Sequence, residues 1–332
     1  MLKHEKSKLS RTLSGNCKGI KKTRFKDDKA QACAQIFTNN SLDGVYSHGL
    51  NRFEVFADYV KQGLVNVDAE PTQIAKYGLL EQWDGNFGPG MLNASFCMQR
   101  AIDVAKENGI ACIALKNTNH WMRGGTYGWQ AADAGCISIS FTNTIAIMPP
   151  WGAKKPTIGN NPLIIAVPHP NGHIVLDMAM SQFSYGKLQE YKLKEQELPY
   201  FGGYDANGEL TKNPSAIYKT RRTLPVGMWK GSGLSIMLDL LVSILSGGSS
   251  TAKITQSDKE TGISQVYMCI NTKLFPNSQN IIDEIVAYTK SAETIEGQEI
   301  YYPGERTLHI RKENTERGIP VDEQMWNKLL NA

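Results

Sequence analysis

Two of the six histidines lie in segments whose residue types suit catalysis. One segment is residues 47–52 (SHGLNR), with His48 and Arg52, and the other is residues 119–125 (NHWMRGG), with His120 and Arg123. Imidazole exchanges a proton near neutral pH, and guanidinium binds a carboxylate through two parallel hydrogen bonds. We therefore expect an enzyme that acts on a small carboxylic acid. The alternative is structural, because an arginine four residues after a histidine can equally form a salt bridge.

Length and composition narrow the class of protein. The chain has 332 residues, of which 41% are hydrophobic and 20% charged, values that are typical of a globular protein with a substantial core. Its longest apolar runs, such as residues 163–167, are much shorter than the roughly 20 residues of a membrane span. No apolar stretch of a secretory signal opens the chain. We therefore expect a cytoplasmic protein that does not bind membranes.

The six cysteines are scattered along the chain, and no two of them have C-x-x-C spacing. A disulfide framework is not expected in a chain of this length, and the spacing of zinc ligands is missing. The sequence therefore predicts free thiols and no metal site.

The positive charge is concentrated at the start of the chain. Residues 1–26 contain nine lysines and arginines against Glu5 alone, whereas the whole chain carries a net charge of +4, so the remainder is acidic. A basic arm of this kind can bind nucleic acid or another acidic surface. Since no base-reading motif accompanies it, we favour a solvated terminus and expect no nucleic-acid partner.

The elements before residue 75 are predicted to be helical. Asp27 and Asp28 can cap a first helix, and the apolar spacing over residues 52–62 predicts a second one that ends near Gly63. His48 would then lie in the turn between the two helices, from which its side chain can reach a cleft.

The rest of the chain alternates between predicted strands and helices, which indicates mixed α/β layering. No internal repeat or linker marks a domain boundary. Strands are predicted at residues 110–115, 137–141, 163–167, 174–178 and 266–270. Helices are predicted at residues 91–107, 124–134, 231–245, 280–291 and 322–330, and an outer helix or long excursion at residues 187–197.

The glycine fingerprint of a Rossmann dinucleotide site is missing. Residues 85–90 (GNFGPG) have the wrong spacing, and Pro89 removes an N–H that could bind phosphate. Residues 229–233 (WKGSG) can present free N–H groups at a helix start beside Lys230, or the glycines can merely allow a tight turn. Asp177, near the end of a predicted strand, can bind ribose hydroxyls or orient a histidine. His169 and His173 flank a predicted turn, so we expect them to be exposed.

Several motifs in order resemble the malate/L-lactate dehydrogenase type 2 family of nicotinamide oxidoreductases, also described as sulfolactate dehydrogenase-like. They are SHG at residues 47–49 with Asn51 and Arg52, NHWMRGG at 119–125, PPWGAK at 149–154, GNNP at 159–162, Asp177 and WKGSG at 229–233. The resemblance covers roughly residues 24–332. It implies an α/β, non-Rossmann NAD-binding fold with a mixed sheet, and a homodimer with active sites between its subunits. It also implies three parts of the chain. Residues 1–75 form a mainly helical N-terminal part, residues 76–310 form a mixed α/β part, and residues 311–332 form a C-terminal helix that packs on the N-terminal part.

The resemblance also implies roles for individual residues. His48 matches the family's proton donor, and Ser47, Arg52 and His120 match positions that bind the substrate. The positions that match cofactor-binding segments are His173, Ile174, Val175, Leu176, Asp177, Met178, Ala179, Trp229, Lys230, Gly304, Glu305 and Arg306. The cofactor implied is NAD, with NADH as the reductant and NADPH as a further possibility.

The chain departs from the family pattern in three places. Residues 1–23 differ from the usual opening helix, Asn160 stands where relatives often have threonine, and the match at residues 304–306 is short. Within the family, the runs VYSHGLNRF, NHWMRGGTYGWQAA and MPPWGAK are similar to those of reductases that act on a sugar-derived 2-oxo acid. A malate, lactate or ureidoglycolate type of substrate is the alternative on the same fold, because pocket contacts decide the substrate.

Overall fold

A computed structural model describes residues 25–321 together with Gly15 and Ile20. The basic arm at residues 1–26 therefore lies almost wholly outside the described residues, and the final helix predicted at residues 322–330 lies outside them.

Helices and strands alternate along the described chain. The helices are α1 (Asp27–Leu42), α2 (Phe53–Lys61), α3 (Gly90–Asn108), α4 (Gly125–Asp133), α5 (Tyr185–Leu193), α6 (Pro214–Thr220), α7 (Trp229–Ser246), α8 (Thr251–Thr255), α9 (Ser278–Lys290) and α10 (Glu305–Arg317). The strands are β1 (Thr72–Tyr77), β2 (Leu80–Asp84), β3 (Ile110–Asn119), β4 (Cys136–Thr142), β5 (Leu163–Val167), β6 (Ile174–Met178), β7 (Gly203–Tyr204), β8 (Leu210–Thr211) and β9 (Thr261–Asn271).

Within the described residues, the strands form a seven-stranded sheet with the order β1-β2-β3-β9-β4-β5-β6 and a separate β7-β8 pair. The pairing of β2 with β3 is parallel, and the other neighbours in the large sheet are antiparallel. In the central ladder Ile113 of β3 lies opposite Tyr267 of β9. The sheet is thus mixed, as predicted.

Helices cover both faces of the sheet. Ile113 and Leu115 of β3 pack with α3 and α4 on one face, whereas Ala114 packs with Leu238 and Val242 of α7 on the other. Successive residues of a strand point to opposite faces, so a strand covered on both sides is apolar throughout. This is why the short apolar runs predicted most of the central strands.

The first two helices form a smaller core next to the sheet. The ring of Phe37 on α1 lies 5.9 Å from that of Phe53 and 5.6 Å from that of Phe56, both on α2. Asn314 of α10 donates a hydrogen bond of 2.9 Å to the carbonyl of Leu42, so α10 packs against the end of α1.

The structure differs from the predicted elements in several places, and the short elements α6, α8, β7 and β8 were not predicted. Residues up to 75 were expected to be helical, whereas α2 ends at Lys61 and β1 begins at Thr72; β2 was not predicted either. Helix α10 was also missed. Helix α7 begins at Trp229 rather than at Gly231, so the two glycines lie within its first turns. The remaining predicted strands and helices within the described residues are present, with ends that differ by a few residues.

Candidate active site

His48 lies in the connection between α1 and α2, as predicted. This connection consists of two 3₁₀ turns, Tyr46–His48 and Leu50–Arg52. Asn40 of α1 donates a hydrogen bond of 2.9 Å to the carbonyl of His48, and the N–H of Leu50 donates one of 2.9 Å to Ser41 Oγ. The buried end of α1 therefore fixes the backbone that carries the imidazole.

His120 directly follows β3 and is held by its neighbour. The side-chain amide of Asn119 donates to the carbonyls of Phe87 (2.8 Å) and Gly88 (3.0 Å), and its oxygen accepts a hydrogen bond of 2.8 Å from the hydroxyl of Thr261. Because these bonds anchor a buried side chain on the loop after β2 and on the start of β9, the position of His120 is set by the sheet.

The two imidazoles meet although they are far apart in the sequence. The rings of His48 and His120 are stacked, with centroids 5.6 Å apart and an angle of 16° between their planes. Both residues are half-buried and lie outside the closed core, and together with Ser47 and Arg52 they form the candidate cleft. The N–H of Met122 donates to His120 Nδ1 at 3.0 Å, so the neutral ring of His120 carries its proton on Nε2. Ser47 Oγ lies 3.0 Å from Nδ1 of His48.

The surroundings keep both imidazoles neutral at neutral pH. Burial, together with the positive charges of Arg52 and Arg123, lowers the pKa of His48 to about 4. Burial, together with Arg52 and His48, also holds the pKa of His120 well below its usual range. A neutral imidazole at the cleft can take a proton from an alcohol, and it can give one to an alkoxide once it has itself been protonated.

Arg52 provides a cation beside the imidazole pair. Its side chain is one-third exposed, and Nη2 lies 3.9 Å from Glu260 Oε2. A guanidinium has five N–H donors, so a loose contact with one carboxylate leaves donors for a substrate carboxylate.

Glu260 is a member of this cleft that the sequence did not predict. Burial raises its pKa, while Arg52 and the N–H of Ile145, 3.4 Å from Oε1, act in the opposite direction. Glu260 ends a polar run that is typical of a solvent-exposed loop, and no local signal shows that the loop folds back onto Arg52.

Arg123 does not face the cleft, so the interpretation of it as a second carboxylate clamp is wrong. Its side chain is 5% exposed and forms a salt bridge with Asp43, which also binds Arg311 of α10. Its Nε lies 3.7 Å from Asp177 Oδ2. The carboxylate of Asp43 already neutralises the charge of Arg123, so this arginine has a structural role. It connects the segment after His120 to the end of α1.

Two of the three expected cofactor segments lie side by side. Residues 174–178 form β6, and the N–H of Val175 donates a hydrogen bond of 2.9 Å to Pro303 O, directly before Gly304. Gly304 has a φ of 93°, and a Cβ there would lie 3.0 Å from the backbone nitrogen of Val175, so this close approach requires glycine. Asp177 accepts a hydrogen bond of 2.8 Å from Gly125 N, and burial raises its pKa against the effect of Arg123.

His173 and His169 were expected to be exposed, which is wrong. Their side chains are 18% and 11% exposed, and each ring nitrogen Nε2 lies 2.9 Å from a carboxylate, that of Asp133 for His173 and that of Asp283 for His169. The turn between them is thus fastened to α4 and α9.

The third segment, Trp229 and Lys230, is exposed at the start of α7. It is connected to the end of β6 because Val226 N donates a hydrogen bond of 2.8 Å to Met180 O. The N–H of Gly231 is already paired with Val226 O at 2.9 Å, and a Cβ at Gly231 would collide with that carbonyl. Of the two interpretations of these glycines, the structure therefore favours the tight turn.

The described residues form a mixed sheet covered by helices, with the imidazoles of His48 and His120 stacked beside Arg52. Since the sequence has no Rossmann glycine fingerprint, these features fit a dehydrogenase of a non-Rossmann class. The chain matches the family model described as malate/L-lactate dehydrogenase over residues 16–330, and it belongs to this family. It is thus an oxidoreductase that acts on a CH–OH group and uses a nicotinamide cofactor. The fold class expected from the resemblance is confirmed.

Among curated relatives, the chain is similar to the 2,3-diketo-L-gulonate reductase of Escherichia coli K12, with 47% identity over 307 residues that cover 91% of this chain and 92% of the relative. It is also similar to the 2,3-diketo-L-gulonate reductase of Salmonella paratyphi A, with 45% identity and 93% and 95% of the two chains covered.

Solved structures agree on the fold. The sulfolactate dehydrogenase of Methanocaldococcus jannaschii matches with a TM-score of 0.86 and 27% identity, over 97% of this chain and 94% of that chain. The malate dehydrogenase of Entamoeba histolytica matches with a TM-score of 0.92 and 22% identity over 97% and 95%, which supports the fold alone.

Proposed function

We propose that the protein reduces 2,3-diketo-L-gulonate to 3-dehydro-L-gulonate with NADH, with His48 as the proton donor. The observation that carries the proposal is the stacked pair of His48 and His120 beside the partly exposed guanidinium of Arg52. The similarity to reductases named for this substrate supports the choice of the acid.

Each cleft residue has a chemical role in this reduction. Arg52 binds the carboxylate of the substrate, and Nε2–H of His120 donates a hydrogen bond to the C2 carbonyl oxygen. Reduced nicotinamide, when bound, supplies the hydride that C2 receives. His48 protonates the oxygen as its negative charge develops, so the ketone gains one hydride and one proton and becomes an alcohol. Ser47, through its contact with Nδ1, orients the ring of His48.

Binding of the substrate prepares the proton donor. In the free enzyme the positive charge of Arg52 disfavours a second positive charge on His48. A bound carboxylate offsets that charge and therefore raises the pKa of His48. Substrate binding and protonation of His48 thus favour each other.

The cofactor would be held by residues 173–179, by Trp229 and Lys230, and by Gly304, Glu305 and Arg306. Lys230 and Arg306 are exposed cations, which suits the phosphate groups of a dinucleotide. Asp177 suits hydroxyl groups of a ribose, because its carboxylate is 29% exposed, whereas that of Glu305 is 11% exposed and paired with Lys290. NADH is the proposed reductant, and NADPH is the alternative.

We also propose that the protein works as a homodimer in the cytoplasm. Helix α7 exposes apolar side chains that include Leu240, Leu241 and Ile244, and a large exposed apolar patch marks an interaction surface. Among the described residues, α7 is the helix long and apolar enough to cross a membrane, but part of it is buried against the sheet. The division into a helical N-terminal part, a mixed part and a C-terminal helix belongs to the same proposal.

A panel of 2-oxo acids tests the proposal. The oxidation of NADH and of NADPH would be followed with 2,3-diketo-L-gulonate, oxaloacetate, pyruvate and the 2-oxo acid that corresponds to ureidoglycolate. We expect kcat/KM to be highest for 2,3-diketo-L-gulonate with NADH, by at least about tenfold. Higher kcat/KM with another acid would assign the protein to the malate, lactate or ureidoglycolate type on the same fold.

A further inference from the structure

We propose that Glu260 selects substrates by charge. It favours 2-oxo acids whose remaining groups are uncharged and hydroxylated, and it disfavours acids with a second carboxylate. The inference rests on the function proposed above for the cleft of His48 and Arg52.

The position of Glu260 carries this inference. Its side chain is 15% exposed, and Oε2 lies 3.9 Å from the Arg52 nitrogen Nη2. The N–H of Ile145 lies 3.4 Å from Oε1 and fixes the other carboxylate oxygen. The next residue, Thr261, donates the hydrogen bond to Asn119 that holds His120 in place. Glu260 therefore lies between the two sides of the cleft, close to Arg52 on one side and directly before the residue that supports His120 on the other.

The charge balance of the cleft shows what such a carboxylate does. With both imidazoles neutral, the positive charge of Arg52 and the negative charge of Glu260 cancel. A monocarboxylate adds one negative charge, which protonation of His48 can compensate. A second substrate carboxylate would add another negative charge near the carboxylate of Glu260. Because Glu260 is largely buried, the repulsion between the two charges is weakly screened.

Hydroxyl groups have the opposite effect. A carboxylate is purely an acceptor, and a substrate hydroxyl can donate to it. A site built to accept hydrogen bonds discriminates against analogues that cannot donate them, because its buried acceptor is left unpaired. Glu260 thus favours a polyol acid over a dicarboxylate.

The variant Glu260→Gln tests the inference because it removes the charge and keeps the shape and the acceptor for Ile145 N. We expect the ratio of kcat/KM for oxaloacetate to kcat/KM for 2,3-diketo-L-gulonate to rise at least about tenfold. Glu260→Asp, which keeps the charge, should leave the ratio within about threefold of the wild-type value. Asp258→Asn is the matched control, because it removes an exposed negative charge two residues away and should not change the ratio.

Two results would overturn the inference. An equal rise of KM for both acids in Glu260→Gln would show that Glu260 only holds Arg52 in place. A wild-type enzyme that reduces oxaloacetate as efficiently as 2,3-diketo-L-gulonate would show that the cleft does not select by charge.

Binding of inhibitors to the wild type gives a test that does not depend on folding of a variant. Succinamate and succinate differ in one carboxylate, and we expect succinamate to inhibit more strongly; equal or stronger inhibition by succinate contradicts the inference. The two proposals fail differently. If the wild type reduces no 2-oxo acid, both are wrong, whereas activity with an unchanged ratio in Glu260→Gln removes the charge selection alone.

Discussion

At the scale of single residues, the proposed reaction makes turnover depend on the imidazole of His48. We expect His48→Ala to lower kcat by about 10² to 10⁴, the usual contribution of a placed general acid. The proposed cofactor segments lie on β6, α7 and α10 and do not include His48. The dissociation constant of NADH, measured by its fluorescence, should therefore stay unchanged.

His309→Ala is the control for this substitution. His309 is an exposed histidine on α10 whose ring packs against Tyr301, and its loss should leave kcat unchanged. Wild-type turnover in His48→Ala would exclude His48 from the mechanism.

The low pKa of His48 gives a pH prediction. A proton donor must be protonated. In the free enzyme the imidazole of His48 has a pKa of about 4, so it loses its proton as pH rises through that value. Since kcat/KM reports the free enzyme, kcat/KM for reduction should fall about tenfold per pH unit from about pH 5 to about pH 8. For the reverse oxidation, which needs the neutral base, kcat/KM should stay level over the same range.

Steady-state rates in both directions check this pH dependence. In His48→Ala the slope for reduction should disappear. A level profile for reduction in the wild type would mean that another group delivers the proton.

At the scale of elements, Asp43 joins three parts of the fold. It ends α1 and pairs with Arg123, beyond β3, and with Arg311 of α10. Asp43→Ala leaves the buried guanidinium of Arg123 without its carboxylate, so we expect the free energy of unfolding to fall by about 3–5 kcal/mol.

A surface pair provides the comparison for Asp43. Glu313→Ala breaks a contact with Arg317 in which both side chains are exposed, so it should cost at most about 1 kcal/mol. Urea unfolding of both variants measures the two values. Equal losses would mean that the network around Asp43 does not hold the elements together.

The sequence predicts elements well where an apolar pattern shapes them. The central strands and helix α3 were predicted because they are buried on the sheet. Strand β1 escaped prediction because it is mostly exposed at the sheet edge, and β2 because it includes Glu81, whose buried charge is paired with Arg100. Helix α10 is largely polar and is attached by Arg311 and Asn314. Leu308 and Ile310 are its two aliphatic side chains, and residues two apart do not form the apolar stripe by which a helix is recognised.

The candidate site was predictable in its chemistry and not in its assembly. Imidazole and guanidinium at close spacing pointed to His48 and Arg52. The stacking of His48 on His120 depends on how α1 docks against the end of β3. The burial of Arg123 and the approach of Glu260 are likewise tertiary contacts between distant segments, which local spacing does not record.

At the scale of the whole molecule, the exposed face of α7 predicts self-association. Ile244 is 70% exposed on this face, and Ile244→Glu would place a charge inside the proposed dimer interface. We expect the variant to sediment as a monomer. Thermal unfolding of this monomer should stay cooperative.

The control for the dimer prediction is Leu193→Glu, which replaces a similarly exposed leucine at the end of α5. It should sediment like the wild type. A dimer that persists in Ile244→Glu would place the contact between subunits elsewhere.

The order of strands in the large sheet has a consequence for biosynthesis. Strand β9 fills the gap between β3 and β4, where Ile113 meets Tyr267, so the centre of the sheet is closed by a segment from the last third of the chain. Until the ribosome has released residue 271, β3 and β4 each present an open edge to solvent. Open edges recruit foreign strands, so the nascent chain passes through an aggregation-prone stage that a chaperone would shorten.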